Sequence, residues 1–281
     1  VVLDNLSTGF AWAVPPDVAF YGGDTADQAL VRKIVAEHKV EAICHFAAKI
    51  VVPDSVADPL GYYAGNTMAS RNLIEAAVQS GVKHFIFSST AATYGEPDVM
   101  PVGEDTPQVP VSPYGRSKLM TEWMLEDTSR AHDFRYVALR YFNVAGADPY
   151  GRAGQSTPRA THLIKAASQA VIGTRPHLDL YGTDYPTPDG TCVRDYIQVT
   201  DLAEAHVLAL NYLRSGGGST KFNCGYGKGL SVLDVIDTVK RVSGVDFPVR
   251  ISGRRAGDPA ALVAGAERIR AELGWTPKHD D

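Results

Sequence analysis

Short apolar runs alternate with longer helical patterns through the first half of the chain, and this alternation restricts the fold more than any other feature. The run "EAICHFAA" is followed by a helical pattern from Asp58 to Ser80, "HFIFSST" by one from Pro113 to His132, and "RYVALRYFN" comes next. Runs this short and this apolar read as strands buried on both faces, which occur where helical crossovers cover a parallel sheet. Strand and helix in turn predict βαβ units and an α/β fold built on a doubly wound parallel sheet. The stretch "DQALVRKIVAEH" predicts a helix with Leu30, Ile34 and Val35 on one side, and "NLIEAAVQSG" ends on a glycine suited to a C-cap.

After Asn143 the texture changes. "AGADPYGRAGQSTPRA" and "GTDYPTPDGTC" are rich in Gly, Pro, Thr and Asp, as loops that carry binding groups are. The chain thus divides into a nucleotide-binding domain over 1–143 and a smaller, loop-rich α/β substrate domain over 144–281. The helix "TDLAEAHVLALNYL" and the strand "KFNCGYG", in the region 195–225, are expected to return to the first sheet. A chain of 281 residues, 44% hydrophobic, can bury a sizeable core. Its net charge of -5 lacks the basic surplus that a nucleic-acid partner requires. No apolar run approaches the length needed to span a membrane. Cys44, Cys192 and Cys224 are too few and too far apart for a disulfide framework or a metal site, which predicts reduced thiols in a cytoplasmic protein.

The first residues, "VVLDN", look like a buried parallel strand whose carboxyl end presents Asp4, the pattern that closes the second strand of a dinucleotide-binding unit. Such an acid follows a glycine-rich phosphate loop by roughly 20 residues. Only Val1, Val2 and Leu3 precede this one, so about one βα unit is expected upstream.

The most informative segment is "PYGRSKLMTEWM". Tyr114 and Lys118 stand four apart and share one face of a helix. A free tyrosine, with a pKa of about 10, is a poor base at neutral pH, and a neighbouring ammonium favours its phenolate. The pair alone is common by chance on a protein surface. Upstream, "FIFSSTAATYG" places Ser88, Ser89 and Thr90 at the carboxyl end of a strand, where open α/β sheets bind ligands. Alone, such hydroxyls more often make turns or caps. Together with the Tyr-x-x-x-Lys helix they form the layout of a short-chain dehydrogenase active site.

"HFAA", "FSSTAATYG", "SPYGRSKLMTE", "LRYFNVAGADP", "DYPTPDGTCVRDYI", "VTDLAEAH" and "RRAGDPAALVA" occur in order along almost the whole chain. Together they resemble the UDP-glucose 4-epimerases of the extended short-chain dehydrogenase/reductase family. Ala91 and Ala92 after Thr90, in place of the Asp-Glu of the dehydratases of this fold, argue against dehydration. The resemblance implies a Rossmann-type fold and an isomerase that interconverts UDP-galactose and UDP-glucose through a 4-keto intermediate with tightly bound NAD. In it, Tyr114 moves the proton of the sugar 4-hydroxyl, Lys118 lowers the Tyr114 pKa and holds the nicotinamide ribose, and Thr90 hydrogen-bonds the 4-oxygen.

The resemblance also assigns binding residues. Asp4 and Asn5 meet the adenosine ribose, and Asp24 with Thr25 the adenine, though Asp24 reads equally as the N-cap of a helix beginning near Ala26. Phe46, Ala47 and Ala48 line the pyrophosphate path; relatives often carry glycine at Ala48 and lysine at Ile50, and whether the neighbouring Lys49 stands in for that lysine is open. Asn66, Ser88 and Tyr141 complete the cofactor set or are satisfied buried polar groups. Arg194 and Arg255 clamp the diphosphate, with a salt bridge from Arg194 to Asp195 or Asp201 as the alternative. Asn143 meets the sugar or diphosphate, His162 and Leu163 the phosphate-uridine region, Tyr181 the uracil and Asp258 the uridine ribose. Leu262 falls where bulk limits the sugar C2 substituent.

The helices Asp58 to Ser80 and Pro113 to His132 match those through which relatives form homodimers. Leu73, Ile74, Met120 and Met124 on them serve that interface or the internal core. The resemblance further implies helical structure beyond "ELGWTPKHDD", and an uncovered central sheet edge with weakened NAD affinity for the 281-residue chain alone. A 4-epimerase of another UDP-sugar, such as a pentose, a uronic acid or an N-acetylhexosamine, and a non-catalytic nucleotide-binding relative are the alternatives.

Overall fold

The computed structural model describes residues 1–157, 161–255 and 257–280. In chain order the strands are β1 (Val2–Asp4), β2 (Phe20–Gly22), β3 (Ala42–His45), β4 (His84–Thr90), β5 (Arg135–Tyr141), β6 (Asn143–Ala145), β7 (Leu178–Tyr181), β8 (Val193–Gln198), β9 (Thr220–Cys224), β10 (Gly229–Ser231), β11 (Val249–Ser252) and β12 (Ala261–Leu262). The α-helices are α1 (Gln28–His38), α2 (Val52–Ala57), α3 (Pro59–Tyr62), α4 (Ala69–Gln79), α5 (Pro113–Ala131), α6 (Leu163–Val171), α7 (Val199–Arg214), α8 (Val232–Ser243) and α9 (Glu267–Leu273).

A parallel sheet in the order β3-β4-β5-β9 forms the first layer. Its pleat sends alternate residues to opposite faces. Phe85, Phe87, Tyr136 and Ala138 face α1, α4 and α5 in one core cluster, while Ile86, Val137 and Leu139 face α7 and α9 in another. Trp275, 1% exposed, closes the second cluster and donates its indole N–H to the Asp201 carbonyl at 3.0 Å. β1 and β2 pair in parallel with each other, and among the described residues no ladder joins either to β3.

Local chemistry sets the helix boundaries. Asp27 caps α1 by accepting the Leu30 N–H at 3.0 Å, so the buried face is Val31, Ile34 and Val35. Leu30, expected on that face, lies on the flank against Gly23. The Asp58–Ser80 segment is less regular than its pattern implied: helix starts at Val52, Pro59 restarts it as α3, and Tyr63–Met68 forms a π segment before α4. Ser112 caps α5 through the Gly115 N–H at 3.1 Å, with Pro113 in the first turn. Leu73 and Ile74 are buried in the core and Met124 packs against it, so they serve the interior of their own chain. Met120 is half-buried beside the Thr67 hydroxyl.

The second layer is built around β8, which pairs with β10 antiparallel and with β12 and β6 in parallel. Beside it, β7 and β11 form a parallel pair that packs with α6 and α8. No described helix is long and apolar enough to cross a membrane. Cys44, Cys192 and Cys224 are unpaired.

Candidate active site

A cavity of about 440 Å³ opens at the carboxyl ends of β4 and β5. Ser88, Thr90, Tyr114, Lys118 and Tyr141 wall it from the first layer, and Asn143, His162, Arg194, Asp258 and Leu262 from the second. The pleat sorts the hydroxyl cluster. Ser88 and Thr90 face the cavity, while Ser89, between them, points to the α5 side and donates to Glu122 at 2.5 Å. The Ser88 hydroxyl is hydrogen-bonded to that of Tyr141, and Thr90 Oγ1 accepts the Ala92 N–H at 3.1 Å.

Tyr114 and Lys118 lie one turn apart on α5, which approaches the sheet closely. A Cβ at Gly115 would stand 2.5 Å from the Ala92 carbonyl oxygen, so only glycine permits this contact. Lys118, 3% exposed, donates from Nζ to the Ser88 carbonyl at 2.8 Å and lies 4.9 Å from the centre of the Phe87 ring. Burial pushes its pKa down to about 7, and only the charge of Glu122 opposes this. Burial also raises the Tyr114 phenol above its ordinary value, aided by Tyr141 and Tyr62 and opposed by the Thr90 hydroxyl. The expected lowering by Lys118 therefore works against desolvation. His45, hydrogen-bonded to the Ser70 hydroxyl at 2.8 Å, is pushed down to about 3 by burial and then by the Lys118 charge.

The expected adenosine residues meet at the ends of β1 and β2. Asp4 Oδ1 accepts the Leu6 N–H at 2.6 Å, while Asp4 Oδ2 has no partner among the described residues. Asn5 reaches Asp24 Oδ2 at 3.4 Å. Asp24 Oδ1 accepts the Ala26 N–H in a turn; Asp27, not Asp24, caps the helix. Thr25 follows, half-buried. A Cβ at Gly9 would lie 3.0 Å from Asp4 Oδ1, so glycine leaves the carboxylate open. An acceptor with a free oxygen at a parallel strand's carboxyl end, and a Tyr–Lys pair on the helix packed beside the end of another, fit a dinucleotide.

Beyond β3, Phe46 is 57% exposed and lines the cavity with its ring centre 4.9 Å from that of His206. Ala47 is exposed and Ala48 half-buried, and neither lines the cavity. Lys49 does not substitute for the lysine at Ile50. Its Nζ lies 3.9 Å from Asp58 and over the Tyr62 ring, while Ile50 faces the cavity. Asn66 spends both amide donors on the Lys49 carbonyl and Ser117 Oγ, each at 3.0 Å, and accepts the Lys49 N–H at 2.7 Å. It braces the wall with its side chain and has no donor left for a ligand.

On the second layer Arg194 forms neither alternative salt bridge. It donates to the Val193 carbonyl at 2.9 Å, while the Asp195 carboxylate, on the other side of β8, accepts the N–H groups of Tyr226, Gly227 and Ala264. Asp201 is engaged by Tyr226 and the N–H groups of Lys278 and His279. Arg255 pairs with Asp258 at 2.9 Å and stacks 4.7 Å from the centre of the Tyr181 ring, and neither Arg255 nor Tyr181 lines the cavity. His162 precedes α6, its pKa lowered by burial. It and Asn143 also wall an adjoining cavity of about 920 Å³ that Leu163 lines. Sequence reasoning missed Glu122 and Arg140, a fully buried ion pair behind the cavity; the acid four residues beyond Lys118 was its only signal.

Residues 1–225 match the model of the NAD dependent epimerase/dehydratase family. A UDP-glucose 4-epimerase of Azospirillum brasilense is 56% identical over 280 residues, spanning 100% of this chain and 80% of that protein. The crystal structure of UDP-glucose 4-epimerase from Brucella ovis in complex with NAD superposes with a TM-score of 0.95 at 44% identity, covering 99% of this chain and 86% of that one. The enzyme of Bifidobacterium longum, solved in complex with NAD+ and UDP, gives 0.94 at 37% identity, covering 98% and 85%. A Rossmann-type isomerase fold with a Tyr–Lys helix, matched along its whole length at such identities, leaves one conclusion: the chain belongs to the NAD-dependent epimerase/dehydratase family, among its UDP-glucose 4-epimerases.

Proposed function

We propose that the chain interconverts UDP-galactose and UDP-glucose through a 4-keto sugar, using NAD as a bound cofactor. The observation that carries this reading is one cavity that joins Tyr114, Lys118 and Thr90 on one wall to Arg194, free of both neighbouring aspartates, on the other.

Tyr114 takes the proton of the sugar 4-hydroxyl and later returns it to the 4-oxygen, with Thr90 hydrogen-bonding that oxygen throughout. Burial alone disfavours the phenolate, so the Lys118 ammonium one turn away supplies the compensating positive charge. NAD, when bound, supplies the acceptor and donor of the C4 hydride. Asp4 and Asn5 hold its adenosine ribose, and a carboxylate there repels a 2′-phosphate. Asp24 and Thr25 serve the adenine, Phe46, Ala47 and Ala48 the pyrophosphate path, and Ser88, Tyr141 and Lys118 the nicotinamide end. Arg194 and Arg255 hold the substrate diphosphate by charge-assisted hydrogen bonds. Asn143 meets the sugar or diphosphate, His162 and Leu163 the phosphate-uridine region, Tyr181 the uracil and Asp258 the ribose. Leu262 lines the cavity where side-chain bulk bears on the C2 substituent, and as a leucine it leaves N-acetylated sugars undecided.

Residues 1–143 are the NAD-binding domain and 144–281 the UDP-sugar domain, with the region 195–225 returning to the first, a return supported by β9 pairing with β5 and α7 packing on β4 and β5. Exposed Leu60, Met68 and Trp123 on the α3–α5 side support a homodimer. Free thiols suit the cytoplasm.

Conversion of UDP-galactose by this chain with NAD supplied, beside Tyr114→Phe, tests the reading. Turnover that vanishes in the variant while NAD still binds is expected. Turnover confined to a UDP-pentose, UDP-uronic acid or UDP-N-acetylhexosamine would transfer the reading to that sugar, and NAD binding without turnover of any would leave a nucleotide-binding protein.

A further inference from the structure

Behind the cavity, on the α5 side of the sheet, lies a charged pair that the reaction described above does not use. Glu122 is 0% exposed and Arg140 1%. Glu122 Oε1 accepts from Ser89 Oγ at 2.5 Å and Arg140 Nε at 3.0 Å, and Oε2 from Arg140 Nη2 at 2.6 Å and Gln108 Nε2 at 3.4 Å. Arg140 Nη1 donates onward to the Tyr94 hydroxyl at 2.9 Å and the Glu104 carbonyl at 3.1 Å. A buried pair of this kind adds little stability over apolar side chains of equal volume, so stability alone does not account for it.

Its placement does. Tyr114, Lys118 and Glu122 are successive positions on one face of α5, four residues apart. Lys118 binds the carbonyl of Ser88 and Glu122 the hydroxyl of Ser89, so adjacent residues of β4 anchor adjacent turns of the helix. Arg140 is the register partner of Ser89, as Tyr141 is of Thr90. The strand residues that grip Glu122 thus alternate with those that wall the cavity.

We propose that Glu122 is a positioning residue of the reaction, holding α5 against β4 and β5 so that Tyr114 and Lys118 keep their places beside Thr90 and Ser88. The inference rests on the reading of Tyr114 and Lys118 given above. Glu122 also acts through charge. The groups around Lys118 are His45 from β3, Tyr141 from β5, and Tyr114 and Glu122 from its own helix, and among them only Glu122 sustains its ammonium against burial. Arg140, on the far side of Glu122, pairs with that carboxylate at 2.6 Å.

The test compares Glu122→Gln with Glu122→Gln/Arg140→Met, which removes both charges and leaves no unpaired cation. In the NAD-supplied UDP-galactose assay, kcat is expected to fall about tenfold or more in both, with KM changed by less than about threefold. The alkaline limb of the pH profile moves to lower pH because Lys118 loses its proton earlier, and the tyrosinate absorbance that Tyr114→Phe abolishes titrates at higher pH. A folded double variant with wild-type kcat and pH profile overturns the proposal. If the wild type itself does not turn over, the epimerase reading fails, while the Tyr114 titration still decides: a shift in the variants supports positioning and no shift refutes it. If neither variant folds, Ser89→Ala cuts the same tie with the ion pair intact, and an unchanged kcat and titration there overturn the idea.

Discussion

The two walls of the cavity are built differently. On the Tyr114 wall every functional group sits on a regular element and is fixed by buried partners: Lys118 on a carbonyl, Ser88 on Tyr141, α5 on Ser89 through Glu122. On the arginine wall Asp258 lies on a loop and Asn143 on a short edge strand, partly open to solvent, and Arg255, outside the lining, pairs with Asp258. Proton transfer needs donor and acceptor held within hydrogen-bond reach. A flexible diphosphate needs charge within range and tolerates variation in angle. The difference teaches that rigidity here follows the chemistry, and that substitutions on the two walls should register in different kinetic constants.

The strongest way to break that contrast is Tyr114→Phe. It is expected to lower kcat about a thousandfold, within the range of general acid–base catalysis, with little change in Tm; a loss seen only in KM would place the tyrosine among the binding groups. Arg194→Ala should do the reverse, raising KM for UDP-galactose ten- to hundredfold, about 1.5–3 kcal/mol for a charge-assisted contact, with kcat nearly constant.

Thermal or denaturant stability against pH probes the rigid wall itself. His45 stays neutral in the folded chain down to about pH 3, whereas its unfolded counterpart protonates below about pH 6.5. The unfolded state therefore binds the extra proton across that window. Stability should fall on acidification by up to about 1.4 kcal/mol per pH unit from this group. His45→Gln should show a shallower slope, and an unchanged slope would mean that the histidine is not buried neutral. The smallest effect is expected at the rim. Arg255→Ala removes its ion pair with Asp258, with 37% and 24% side-chain exposure, and should cost no more than about 1 kcal/mol of stability, read as a fall of a few degrees in Tm.

The legibility of the site follows the same division. Tyr114 and Lys118 were readable because helical spacing fixes their common face whatever the surroundings. Ser88 and Thr90 were readable as a strand-end cluster, but the separation of Ser89 from them depends on which face of the sheet α5 covers. Arg194 stands beside Asp195 in sequence, and only the pleat of β8 and the N–H groups gathered by Asp195 show that the two do not pair. Lys49 next to Ile50 suggested a substitute charge, yet the chain turns Lys49 toward Asp58 and Ile50 toward the cavity. Leu73 and Ile74 fit an interface or a core, and packing assigned them to the core.

The sequence by itself determined the alternation of strand and helix, the parallel sheet that this alternation requires, and the Tyr–Lys face, because periodicity and spacing are local properties of the chain. Tertiary structure decided the rest. It brought Glu122 of α5 against Ser89 and Arg140 of neighbouring strands. It also set the charge balance around Lys118. Those outcomes depend on which groups share a buried volume, where desolvation and hydrogen bonding act on neighbours in space whatever their distance along the chain.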